Sequence, residues 1–204
     1  MGTGVHDHKS TRTVHSHNHH KNGLRPSSDS KMKSSSRASS PHPVLQAVAP
    51  GGPAHAIKLA SNQTIPPQSV TGWPPCTDVA GERVFLGLVP FEGGLHPCKV
   101  VEGFIPPVRW SYGGKEYLWD KDYFLVPFDG SRMEWVSASH GVTPVGRRLV
   151  EGGVEPAGER LYHAIGMVDG HRVPGKAAAH LNGALFPYAG EEVLVEYYEV
   201  LCWR

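Results

Sequence analysis

Two acids and two lysines recur at one spacing in this chain. Asp78 precedes Lys99 by 21 residues, and Glu155 precedes Lys176 by the same 21. A carboxylate accepts hydrogen bonds only, and an ammonium donates three. Together they hold a polar ligand through charge-assisted bonds, or they form a surface ion pair that contributes little. Equal spacing places both pairs at equivalent points of a repeated unit, and the residues alone leave the two readings open.

The remaining candidates carry less. Glu116 follows Gly113-Gly114, and Glu192 follows Gly190. Both read as structural acids that bind backbone amides within their own repeat rather than as a catalytic pair. Cys98 sits beside Lys99, which would lower a thiol pKa if the two met, but a small buried thiol is the commoner case. The body histidines His96, His140, His163, His171 and His180 lack ligand spacing, so no metal is expected in the folded part. His15, His17, His19 and His20 form a weak transition-metal site or a compositional accident. Neither a phosphate-cradling glycine loop nor a nucleophile–base constellation occurs. An enzyme is therefore not expected, and no cofactor is implied.

The elements that must position these residues are strands. Gly (24) and Pro (18) make about a fifth of the 204 residues, which disfavours helix interiors. Residues 1–40 hold seven Lys/Arg against two Asp/Glu, and the remainder holds thirteen against seventeen. The acidic body argues against nucleic acid as a partner. The first 53 residues are polar and His/Ser/Lys-rich, and they are expected to stay disordered because they cannot offset their ordering entropy. No transmembrane run and no apolar leader are visible. Three cysteines, an odd number, fit a reducing, cytoplasmic setting.

Beyond the tail the chain repeats. Asp78-Val-Ala-Gly-Glu-Arg-Val-Phe answers Glu155-Pro-Ala-Gly-Glu-Arg-Leu-Tyr at an offset of 77, and His96-Pro-Cys-Lys99 answers Val173-Pro-Gly-Lys176. Tyr112-Gly-Gly-Lys-Glu116 then answers Tyr188-Ala-Gly-Glu-Glu192 at 76. Such order at a fixed period marks duplication. Repeat one is expected over about 54–128 and repeat two over about 133–204, within one folded unit, 54–204. Strands are read at Arg83–Val89, Arg160–Val168 and Val193–Trp203, with turns at glycine pairs including Gly152-Gly153. The rhythm is that of an all-β sandwich or barrel.

Trp135-Val-Ser-Ala-Ser-His-Gly, Gly153-Val-Glu155, Gly158-Glu-Arg-Leu-Tyr162, Pro174-Gly-Lys176 and Tyr188-Ala-Gly-Glu-Glu192 together resemble the DM-nine repeat, over about residues 58–204. The resemblance implies tandem repeats interleaved into one β domain, and a mannose-binding lectin of the kind used in invertebrate innate immunity. Its partners would be mannose-type glycans, with a homodimer as one route to avidity. It implies that the acid after Gly-x pairs with the lysine of a Pro-Gly-Lys turn, so Glu155 with Lys176 and Asp78 with Lys99 become the ligand-binding residues. The second repeat keeps the glycines and ranks first. The first reads Cys76-Thr-Asp and Pro-Cys-Lys and ranks below it. The alternative is a protein-interaction or self-assembly module of the same fold.

Overall fold

The computed structural model describes residue 53 and residues 55–204. The expected disordered tail, apart from residue 53, and its histidines lie outside the described residues. The first repeat supplies β1 (Ile57–Leu59), β2 (Cys76–Thr77), β3 (Arg83–Phe91), β4 (Gly94–Val101), β5 (Val108–Tyr112), β6 (Lys115–Trp119) and β7 (Tyr123–Val126). The second supplies β8 (Met133–Ser139), β9 (Arg148–Leu149), β10 (Glu151–Val154), β11 (Arg160–Val168), β12 (His171–Ala178), β13 (Gly183–Tyr188), β14 (Glu191–Val195) and β15 (Tyr197–Trp203). The all-β expectation holds.

The pairing order is β1-β7-β3-β4-β5-β6-β14-β13-β12-β11-β15-β8. Its two halves mirror each other about the β6–β14 contact, where Glu191 pairs with Lys115. Strand β10 pairs with β11 on one side and meets β4 at Val154–Leu95 on the other. That bridge closes a barrel of eight strands, β4, β5, β6, β14, β13, β12, β11 and β10. The repeats interleave because strands of each serve as staves of one barrel.

Closure depends on one glycine. At Gly153, with φ +129°, an added Cβ would lie 2.0 Å from the Leu95 carbonyl oxygen. Only a residue without a side chain lets β10 approach β4 so closely. The corresponding residue of repeat one is Cys76, and β2 pairs only with β3. The seam is therefore closed on one side and not on its mirror image. Gly152-Gly153, read from the sequence as a turn, is part of a strand for this reason.

Three apolar clusters fill the fold. One belongs to repeat one and centres on Phe85, Val100, Trp110 and Tyr123. One belongs to repeat two and centres on Ala164, Phe186 and Val200. The third joins Leu86, Leu88 and Leu95 to Met133, Val150 and Leu201, so both copies build it. Each fully buried large apolar side chain contributes about 1.5–3 kcal/mol. Neither copy covers its own apolar face alone. The expected closing strand Val193–Trp203 is two strands, broken at Glu196. Before the break β14 pairs with β13 and β6; after it β15 pairs with β11, β8 and β9.

Candidate functional site

Lys99 lies on β4 and Lys176 at the equivalent point of β12. The Pro-Gly-Lys run is thus mid-strand and not a turn. Gly175 serves close packing: a Cβ there would meet the Leu185 carbonyl oxygen at 2.2 Å and the Phe186 ring at 2.6 Å. Proline is tolerated because the β12–β13 ladder starts only at Lys176–Leu185, beyond Pro174, so on that side no N–H is missed. Strand alternation turns Cys98 into the repeat-one core and Lys99 to the opposite face. Burial pushes the Cys98 thiol well up, so Lys99 does not activate it.

Each lysine reaches a carbonyl of the other repeat and a glutamate of its own. Lys176 Nζ donates to the Ser111 carbonyl at 2.8 Å and faces Glu192 Oε1 at 3.1 Å. Lys99 Nζ donates to the Pro187 carbonyl at 2.8 Å and faces Glu116 Oε1 at 3.2 Å. Lys176 lies over the Tyr112 ring at 5.3 Å, and Lys99 over Tyr188 at 5.9 Å. The second carboxylate oxygens also cross over. Gly114 N donates to Glu192 Oε2 and Gly190 N to Glu116 Oε2, both at 2.8 Å. Glu116 and Glu192 do bind backbone amides, as expected, but those amides belong to the opposite repeat. Each Lys–Glu pair therefore clasps the hairpin turn of its counterpart.

The acids singled out by sequence sit at matching turns. Asp78 N donates to Glu82 O and Glu155 N to Glu159 O, both at 2.8 Å. Neither forms an ion pair with its lysine, whose counter-charge is the glutamate 16 or 17 residues downstream. Asp78 and Lys99 do share a cavity of about 270 Å³, walled also by Arg109, Glu116, Phe104 and Tyr188. Arg109 donates to the Pro106 carbonyl at 2.6 Å and lies over the Phe104 ring. Glu155 instead faces His96 Nδ1 at 3.7 Å. That histidine is fully buried, and burial together with the Lys176 charge lowers its pKa to about 4. It is neutral at pH 7, so this contact is not an ion pair.

The order of the repeat has a counterpart among known families. The model of the DM9 repeat matches residues 78–203. The chain belongs to the DM9 repeat family. Among solved structures, the nematode sperm cell motility protein MFP2B is similar at a TM-score of 0.54 with 15% identity. The likeness covers 82% of this chain and 50% of that one, so the chain spans about half of that protein's length and shares its fold. No curated protein matches.

The two DM9 repeats are not equivalent at their sites. His96 stands where the second copy has Val173, and Arg109 where it has Leu185. The partners that sequence reasoning missed as lysine counter-charges, Glu116 and Glu192, carried a signal: both follow a turn at the same point of the repeat. Among the described residues no group of three or more His, Cys, Asp or Glu is disposed to hold a metal ion. No described helix is long and apolar enough to cross a membrane.

Proposed function

We propose that this DM9 protein is a glycan-binding, lectin-like protein acting by recognition and not by catalysis, with mannose-type sugars as its ligands. The observation that carries the reading is the 270 Å³ cavity in which Asp78 and Lys99 converge. Lysine has three N–H bonds. In both repeats a carbonyl and a carboxylate take two directions, which leaves a donor for a ligand oxygen. Asp78 is partly exposed and without a lysine partner, so it can accept paired hydroxyl protons. Such a cavity holds one sugar weakly, and two sites or a homodimer would raise avidity. By this geometry the Asp78–Lys99 site is the better receptor, ahead of Glu155–Lys176. Three free cysteines, two of them buried, suit a reducing cytoplasm.

A glycan array with purified full-length protein tests the reading. Asp78→Asn should lower affinity for the retained sugar about thirtyfold, since losing one charged partner costs roughly 2 kcal/mol. A parent protein that retains no glycan would leave the interaction-module reading, to which the likeness to a motility protein lends support.

A further inference from the structure

Beside the Lys176 site lies a second cavity, of about 340 Å³, between the β5–β6 hairpin and the end of β3. Its walls are the rings of Phe91, Trp110, Tyr112, Tyr117 and Trp119. These rings touch one another: Phe91 and Trp110 are 4.7 Å apart, Trp110 and Tyr117 5.8 Å, Trp110 and Trp119 6.0 Å. Strand alternation makes the wall, because Trp110 pairs across the hairpin with Tyr117 and both rise from the same face. Asp120 and Lys121 stand at the cavity with opposite charges.

Three observations connect this cavity to a sugar. Tyr112 belongs to both places: it lines the cavity and lies against Lys176. The Trp110 ring is 3% exposed, and its Nε1–H has no acceptor among the described residues. A buried donor without a partner is costly, so a ligand oxygen would repair it. The volume falls at the low end of ligand pockets, roughly 300–1,000 Å³. Pyranose rings present a face of C–H bonds, which carry partial positive charge and suit the negative face of an aromatic ring.

The counterpart beside Lys99 lacks this wall. Phe91, Tyr117 and Trp119 correspond to Val168, Val193 and Val195, and only Phe186 and Tyr188 remain aromatic. We propose that the aromatic cavity is an extension subsite that receives the second pyranose ring of a glycan whose end is held at Glu155 and Lys176. The two repeats then divide the work. The first takes a single terminal sugar, and the second takes a chain. This inference rests on the glycan-binding reading above.

Calorimetry of the full-length protein with mannose and with mannobiose tests it. The parent should bind the disaccharide about tenfold more tightly than the monosaccharide. Replacing the wall with its repeat-two equivalents, Tyr117→Val with Trp119→Val, should bring that ratio to about one. Intrinsic fluorescence of the unmutated protein gives a second reading that needs no refolding of a variant: mannobiose, and not mannose, should shift tryptophan emission. Equal affinity for the two sugars together with no fluorescence change would overturn the subsite and leave the site reading intact. An apolar dye that fills the cavity and is not displaced by mannobiose would also overturn it, assigning the cavity to an apolar ligand. A parent that binds neither sugar would remove both readings.

Discussion

Replacing Lys176 with methionine tests the clasp, because methionine keeps most of the stem against Tyr112 and removes the ammonium, with both its charge and its bond to the Ser111 carbonyl. Lys176 and Glu192 are 4% and 7% exposed at their side chains and lie 3.1 Å apart. With an effective dielectric of about 20, Coulomb's law gives an attraction of roughly 5 kcal/mol at that distance. Losing one partner leaves Glu192 buried with a single amide donor from Gly114. Breaking a buried pair in this way costs about 3–5 kcal/mol. For a domain of this size each kcal/mol moves the midpoint by about 2–4 °C. The variant should therefore melt about 6–20 °C below the parent in a calorimetric scan. Lys176→Met combined with Glu192→Gln should recover most of the loss, since glutamine still accepts the Gly114 N–H and no charge is stranded. A single variant costing less than about 1 kcal/mol would show that water screens the pair, and the clasp would not be what joins the repeats. A loss of this size makes lysine variants poor tests of ligand binding, and the acids the better ones.

Gly153→Ala should cost about 2 kcal/mol or more in denaturant unfolding, because its Cβ would collide with the Leu95 carbonyl and its φ is strained for alanine. A cost near zero would show that the barrel seam is slack. Stability should fall as pH drops below 6.5. Burial lowers His96 to about 4 and His163 to about 3, so the unfolded chain takes up protons that the native state refuses. Each histidine contributes up to about 1.4 kcal/mol per pH unit, fully present above 6.5 and lost down to its folded pKa. His96→Val should flatten this slope between pH 6 and 4; an unchanged slope would rule out His96 as a source.

Repetition was legible because it rests on residue identity at a fixed offset, which folding does not obscure. The all-β class followed from turn glycines and short apolar runs. What a glycine is for was less legible. Gly175 and Gly153 read as turn residues, yet both sit in strands where another backbone presses close. Permissive φ and missing bulk leave the same letter in the sequence. Lysine partners were hidden for a related reason. Lys176 has an acid 21 residues before it and another 16 after, and only the fold decides that Glu192 meets it. The ranking proposed for the two sites differs from the one the sequence suggests because Asp78, without the glycine of its counterpart, lines a cavity, while Glu155 faces His96.

The reciprocal clasp has a consequence for how such a protein changes over time. A lysine of each copy reaches a carbonyl of the other, and the arrangement reads the same when the copies are exchanged. A symmetric dimer of a single repeat would have this geometry, residue i meeting j and j meeting i. In such a dimer every substitution would appear twice, and a change harmful at one socket would be harmful at both. Joining the copies in one chain makes their meeting intramolecular and releases them from that constraint. Gly153 against Cys76, Val173 against His96 and Leu185 against Arg109 are differences that such freedom permits. The clasp residues themselves, Lys99 with Glu116 and Lys176 with Glu192, stay matched because each half still lends the other its anchor.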